Sequence, residues 1–109
     1  MRNIEEYIDI SGNNPFEIWH DKLNAQAAVK ITVALYRMEQ GNLSNTKSVG
    51  AGTYEYKIDY GPGYRIYFGK DGEKLIILLG GGTKKRQGKD IDEAKARWKE
   101  YKKRKKLNK

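Results

Sequence analysis

The sequence contains no cysteine and a single histidine, His20. Without thiols it cannot form a disulfide framework, a thiolate nucleophile or a cysteine-based zinc site. One histidine cannot supply a cluster of imidazole ligands, so we expect no catalytic metal and no cofactor. His20 falls beside the apolar stripe of a predicted short helix, and we expect it to be a packed structural residue.

Long apolar runs are also missing. No stretch approaches the roughly 20 apolar residues that a membrane-spanning helix needs, and the first residues lack the apolar region of a signal peptide. We therefore expect a cytoplasmic protein. A chain of 109 residues is long enough for one folded domain with its own core and too short for two.

The positive charge is concentrated at the C-terminal end. Residues 1–83 carry a formal net charge of −1, whereas residues 84–109 carry +9. Such asymmetry indicates a polyanionic partner, with nucleic acid favoured over a membrane surface. A basic tail that only improves solubility would give the same charge count.

The most strongly patterned stretch is a predicted β-hairpin. Two runs rich in aromatic and β-branched residues, 54–60 and 64–69, flank the break Gly61-Pro62-Gly63. A three-residue loop would place Lys57 opposite Tyr67 and Asp59 opposite Arg65. Because side chains alternate between faces, one face would be a core wall, and the other would carry a polar set. That set is Glu55, Lys57, Asp59, Arg65 and Tyr67.

The remaining pattern predicts an α+β fold. We expect an edge strand in residues 3–10, a helix capped by Asn14, a second helix at 25–40 after Asn24, and a polar loop at 41–52. Residues 74–80 are predicted to form a third strand, whose run 75–79 is apolar on both faces, as is typical of a central strand. Asp90 is placed to cap a last helix. The prediction is an antiparallel sheet of about four strands, with two N-terminal helices packed on it and a C-terminal helix. The folded domain would cover residues 1–101, and residues 102–109 would be a basic, disordered tail.

Cations are expected to gather at one end of this sheet. Pairing the third strand so that Tyr67 faces Ile76 and Arg65 faces Leu78 brings the glycines at 80–82 beside the Gly61–Gly63 turn. The chain leaving there carries the basic run 84–86. The polar face of the hairpin has a simpler alternative interpretation. It could be an ordinary solvated surface with a weak cross-strand ion pair between Asp59 and Arg65.

A site that cleaves RNA needs cations for the scissile phosphate, a base for the 2′-hydroxyl and an acid for the leaving 5′-oxygen. Arg65 suits the first task, because a guanidinium grips phosphate in a bidentate manner. Lys57 or Lys84, each expected to lie among other cations, is a candidate acid or base. Glu55 is a second candidate base, and Tyr67 is a candidate for base stacking or proton donation.

Several segments of this sequence resemble the RelE/ParE superfamily of bacterial toxins, most closely its phage-derived, HigB-type branch. The similarity covers about residues 15–100. The matching segments are Trp19-x3-Leu23, Leu35-x-Arg37-x3-Gly41-Asn42, Val49-Gly50-x-Gly52-x-Tyr54-Glu55-x-Lys57-Ile58, Gly61-Pro62-Gly63-Tyr64-Arg65-Ile66-Tyr67-Phe68, and Leu78-Leu79-x-Gly81-Gly82-x-Lys84-x2-Gln87-x2-Asp90-Ile91-x2-Ala94.

The resemblance implies a compact RelE-like domain in a type II toxin–antitoxin system. It implies a ribosome-dependent mRNA endoribonuclease that inhibits translation, arrests growth and is neutralised by a cognate antitoxin, expected to be a helix-turn-helix protein. The basic catalytic positions of the family map onto Lys57, Arg65 and Lys84, and Glu55 also matches the motif. The expected RNA-binding residues are Lys47, Tyr67, Lys85, Arg86 and Gln87. Many members carry a Tyr or His near the end of the last strand, where this chain has residues 84–87 instead.

Two other functions fit the same sequence. Some relatives in the superfamily poison gyrase by binding rather than by cleavage. A non-catalytic nucleic-acid-binding module would also account for the basic C-terminal segment.

Overall fold

The computed structural model describes residues 2–107 and shows an α+β fold. The elements in chain order are β1 (Asn3–Glu6), α1 (Pro15–Asp21), α2 (Ala25–Glu39), β2 (Thr46–Gly50), β3 (Thr53–Ile58), β4 (Tyr64–Asp71), β5 (Leu75–Thr83), a 3₁₀ turn (Lys84–Arg86) and α3 (Gln87–Leu107). None of the helices in residues 2–107 has both the length and the apolar character needed to cross a membrane.

The sheet has five strands in the order β1-β5-β4-β3-β2. Strand β1 runs parallel to β5, and the other neighbours are antiparallel. The predicted antiparallel sheet of about four strands is therefore wrong: the sheet is mixed and has one more strand. The predicted edge position of the first strand is confirmed, and so is the central position of β5, whose side chains are buried on both faces.

The additional strand is β2, which forms a hairpin with β3 inside the predicted polar loop. Gly50 pairs with Thr53, so the connection consists of Ala51 and Gly52 alone. Both have positive φ, 56° and 79°, the backbone of the two-residue turn that matches the twist of paired strands. Polar residues dominate β2 because it is an edge strand with mostly exposed side chains. The chain there has too few apolar residues for alternation to be visible.

The hairpin of β3 and β4 exists, but its register differs from the prediction. Lys57 lies opposite Arg65 and Glu55 opposite Tyr67, so the loop has five residues, 59–63, instead of three. The shift is by two residues, and side chains alternate with a period of two, so every residue keeps its predicted face.

The pairing of β4 with β5 is displaced further. Arg65 lies opposite Gly82 and Tyr67 opposite Gly80, and the register slips between Tyr67 and Phe68. The predicted partners, Leu78 and Ile76, are wrong for two reasons. Asp71 pairs with Leu75, so the turn between β4 and β5 falls later than predicted, at residues 72–74, and Leu79 of β5 is an extra residue without a partner at the slip. The predicted approach of the end of β5 to the hairpin turn is confirmed, since the Lys84 amide donates to the Gly63 carbonyl over 2.9 Å.

Helices α1 and α2 cover one face of the sheet, as predicted. Asn14 and Asn24 cap them by accepting hydrogen bonds from the Glu17 and Ala27 amides, at 3.0 and 2.9 Å. The buried face of α2 packs on the aromatic side of the hairpin. The core on this side is Phe16, Ala27, Ile31, Ala34, Met38, Tyr56, Tyr64, Ile66, Phe68, Ile76 and Leu78. His20 stacks on Phe16, with 5.8 Å between ring centroids.

Helix α3 covers the opposite face and builds a second core. That core contains Tyr7, Tyr67, Ile77, Leu79, Ala94 and Trp98. The helix begins at Gln87, so Asp90 lies inside its first turn, buried, and is not the predicted N-cap. The buried Asp90 side chain sits against Gly82, where a Cβ would overlap its carboxylate. Burial raises the pKa of Asp90.

The C-terminal segment is not a disordered tail over residues 102–107, because α3 continues through Leu107. Two contacts hold its last turns against the sheet. Arg104 donates to the Ile8 carbonyl over 2.9 Å, and Lys105 pairs with Asp71. These two contacts hold the end of the helix in place although its residues bury little apolar surface. Residues 108 and 109 of the predicted tail lie outside the described part of the chain.

Candidate functional site

A cleft of about 490 Å³ opens on the face of the sheet that carries α3. Its floor is formed by β3 and the start of β4, and its outer wall by β2 with the loop before it. The lining residues are Ser44, Asn45, Thr46, Lys47, Glu55, Lys57, Asp59 and Arg65. The polar set predicted on this face of the hairpin therefore lines a real cavity, except for Tyr67.

The centre of the cleft is a buried ion pair. Arg65 and Glu55 are 5% and 2% exposed, and Arg65 Nε lies 3.3 Å from Glu55 Oε1. Within residues 2–107, the one hydrogen bond that the Arg65 side chain donates runs from Nη1 to the Gly63 carbonyl, over 3.3 Å. A guanidinium has five N–H donors in a planar fork. Nε is buried against Glu55 and Nη1 donates to Gly63, which leaves Nη2 as the group for an anion that enters the cleft.

Glu55 is held by groups from three other elements. Gln87 of α3 donates from Nε2 to Glu55 Oε1 over 2.6 Å, and Lys47 Nζ of β2 lies 3.7 Å from Oε2. Arg65 of β4 completes the set. Such a carboxylate is compensated by charge and hydrogen bonding, which is the condition for an ionised group to be buried at tolerable cost. These contacts point to a positioning role for Glu55 toward Arg65.

Lys57 and Asp59 form the exposed mouth of the cleft. Lys57 lies directly across the strands from Arg65, so the two side chains share a face. The cleft is thus lined by three cations (Lys47, Lys57 and Arg65) and by one buried carboxylate, that of Glu55.

The basic run after β5 lies beside the cleft but does not line it. Lys84, Lys85 and Arg86 form the 3₁₀ turn and are exposed. The amide of Lys84 is tied to Gly63, the residue that also accepts from Arg65. Arg86 points back to Asp90, at 3.9 Å. The structure therefore brings Lys84 next to Arg65, whereas Lys85 and Arg86 stand on the outer surface.

Tyr67 is not a surface residue. It is 1% exposed and packs in the core beneath α3. Burial, followed by the negative charges of Glu55 and Asp90, raises its pKa. The prediction that Tyr67 stacks on an RNA base is wrong, because α3 covers the ring, and the closing of that helix over the sheet could not be inferred from strand alternation.

The wall residues Ser44, Asn45 and Thr46 were not anticipated from the sequence. The signal in the sequence is weak, because Gly52 suits a two-residue hairpin turn but Ala51 stands where Asn, Asp or Gly is typical. Recognising that turn would have paired β2 with β3 and placed the preceding loop beside Lys57, whose amide donates to the Asn45 carbonyl over 3.1 Å.

Comparison with known proteins adds a relative but no activity. No protein-family model matches the chain. The chain is 43% identical over 89 residues to an uncharacterized protein of Haemophilus influenzae, an alignment that spans 81% of this chain and 90% of the relative. The chain therefore belongs to the same family as this Haemophilus influenzae protein.

Proposed function

We propose that this protein is a cytoplasmic toxin of a type II toxin–antitoxin system that cleaves mRNA on the ribosome as a metal-independent endoribonuclease. The observation that carries the cleavage proposal is Arg65, a buried guanidinium with unused donors at the floor of an open cleft. The ribosome as the site of action and a helix-turn-helix antitoxin as the partner rest on the resemblance to RelE/ParE toxins.

In the proposed reaction the 2′-hydroxyl attacks the adjacent phosphorus. The bond from phosphorus to the 5′-oxygen breaks, and a 2′,3′-cyclic phosphate and a 5′-hydroxyl remain. Arg65 binds the non-bridging oxygens, whose negative charge it stabilises most in the transition state. Lys57 and Lys84 share charge stabilisation and proton transfer, one accepting the proton of the 2′-hydroxyl and one donating to the 5′-oxygen.

Glu55 is not placed to act as the base in this reaction. Its carboxylate is engaged by Gln87, Arg65 and Lys47, so we assign it to holding the Arg65 guanidinium in position. A phosphate-binding arginine fixed in this manner needs less reorganisation when substrate enters.

The test is cleavage of mRNA by purified translating ribosomes, with mapping of the new 5′ ends. Arg65→Ala is expected to lower the rate by about 100- to 1,000-fold, the usual cost of removing one preorganised donor to a developing oxyanion. Because Arg65 is buried, Arg65→Lys is the companion variant. It keeps a charge but not the planar fork, and an intermediate rate is expected.

Lys57→Ala is the exposed variant that should fold unchanged, and we expect it to lower the rate about 10- to 100-fold as a proton-transfer or charge-stabilising group is lost. Lys30→Ala, an exposed lysine on α2 outside the cleft lining, is the control and should cleave like the unmodified protein. Unchanged cleavage in a folded Arg65→Ala protein refutes the assignment. Growth arrest with intact mRNA and a DNA-damage response would establish gyrase poisoning instead.

A further inference from the structure

Helix α3 carries a stripe of four lysines along one side. Lys95, Lys99, Lys102 and Lys106 follow the spacing i, i+4, i+7 and i+11. At 3.6 residues per turn they lie within about 60° of one another around the helix axis. We call these four residues the lysine stripe.

The lysine stripe begins where the outer wall of the cleft ends. Lys95 Nζ lies 3.2 Å from the position that a Cβ on Gly50 would occupy, at the last residue of β2. Lys47, which lines the cleft from the same strand, is three residues earlier, about 10 Å along a strand. The cations of the cleft and those of α3 therefore follow one another on the same face of the molecule.

In the described part of the chain, the four lysines of the stripe have no carboxylate partner. Within residues 2–107, the ion pairs in the C-terminal half of α3 are those of Arg104 with Glu100 and Lys105 with Asp71, both off the stripe. Lys102 instead lies over the ring of Trp98, 5.8 Å from its centroid. Three of the four residues are exposed: Lys99, Lys102 and Lys106.

The spacing suits an extended polyanion. With a rise of 1.5 Å per residue, neighbouring stripe positions are about 6, 4.5 and 6 Å apart along the axis, and the whole stripe spans about 16 Å. A membrane surface fits less well, because surface-bound helices expose an apolar side. The apolar side of α3 is buried against the sheet, with Trp98 4% exposed.

We propose that the lysine stripe is a binding track for the backbone of single-stranded RNA that continues beyond the cleft. It holds the phosphates on one side of the cleaved bond, while Arg65 acts on the scissile phosphate. The proposal rests on the proposed function in taking RNA as the ligand.

The test is binding of a fluorescein-labelled, 2′-O-methylated oligouridylate of about 12 nucleotides, a length within the usual footprint of single-strand binders. The methyl groups block cleavage, so binding is measured separately from catalysis. Lys99, Lys102 and Lys106 are changed together to glutamine. The matched control changes Lys22, Lys30 and Lys74, three exposed lysines outside the stripe. Both sets lower the net charge by three, and each removes one cation–π contact, that of Lys102 with Trp98 or of Lys30 with Tyr60.

The stripe variant is expected to bind about 100-fold more weakly at 0.1 M salt. Its plot of log K against log salt should become shallower by about 2, because each phosphate contact to a single strand contributes about 0.7. The control variant should change the slope by less than about 0.5, since its lysines contact no phosphate.

Equal losses in the two variants would overturn the proposal, because net charge rather than position would then govern binding. Stripe-dependent binding to vesicles of anionic lipid without binding to the oligonucleotide would overturn it as well. If the stripe variant binds the oligonucleotide normally and the unmodified protein cleaves mRNA, the binding track is refuted and the proposed function stands. If binding depends on the stripe but the protein does not cleave RNA, the proposed function is refuted and the binding track stands.

Discussion

Replacing Glu55 with glutamine should show how much the buried ion pair with Arg65 contributes to the free energy of unfolding. Glutamine keeps the shape and can still accept from Gln87, but it removes the charge that compensates Arg65. Breaking a buried ion pair at one partner costs about 3–5 kcal/mol, because the remaining charge is left without compensation. The guanidinium reaches an open cleft, so we expect the lower end, about 3 kcal/mol.

Thermal and urea unfolding followed by circular dichroism would measure this cost. For a domain of this size, about 3 kcal/mol lowers Tm by roughly 15 °C. Asp59→Asn is the control, since Asp59 lines the same cleft but is exposed and paired with no cation in residues 2–107. It should change stability by less than about 0.5 kcal/mol.

A double-mutant cycle with Arg65→Gln tests the reasoning directly. If the two side chains compensate each other, the double variant is more stable than the sum of the single losses, with a coupling of about 1–3 kcal/mol. Additive losses, or a Glu55→Gln protein destabilised by less than about 1 kcal/mol, would show that Arg65 is compensated by something other than Glu55.

Two further perturbations follow from the packing of α3. Gly82→Ala forces a methyl group into the Asp90 carboxylate and should destabilise the protein by about 1–3 kcal/mol in urea unfolding. The control is Gly88→Ala, where nothing lies within 4 Å of the new Cβ, and this helix substitution should stabilise the protein by about 0.5–1 kcal/mol. Equal effects of the two substitutions would contradict the close approach at Gly82. Hydrogen bonds from Arg104 and Tyr7 lower the pKa of Glu100 to about 2, so its ionised form stabilises the fold above pH 4.5 and this contribution is lost as the pH falls toward 2. Glu100→Gln should therefore cost about 1 kcal/mol at pH 7, allowing for solvent screening of a part-exposed pair, and progressively less in unfolding experiments between pH 4.5 and 2; a cost independent of pH would contradict this linkage.

Local chemistry was readable from the sequence. The caps at Asn14 and Asn24 are set by side chains that reach amides three residues away, so neighbouring residues decide them. The two faces of the hairpin were also predictable, because alternation survives any shift by an even number of residues. This is why Lys57 and Arg65 were placed on one face despite an incorrect pairing.

Features that depend on distant parts of the chain could not be predicted from the sequence. The slip between Tyr67 and Phe68 arises from pairing with β5, and the burial of Tyr67 depends on a helix that begins 20 residues later. Helix α3 starts at Gln87 and not at Asp90, because the Asp90 side chain is used against Gly82 and not as a cap. The composition of the cleft was therefore largely predictable, but its walls and its depth were not.

The parallel pairing of β1 with β5 has a consequence for the order in which the chain can fold. Asn3 meets Leu75, so 72 positions separate the partners, and closing a loop of that length costs about 4 kcal/mol of chain entropy before any contact is gained. Strand β5 also supplies Ile76 and Leu78 to one core and Ile77 and Leu79 to the other. Neither core is complete without β5, so we expect the domain to fold as a single cooperative unit. We also expect it to complete its structure only after most of the chain has been synthesised.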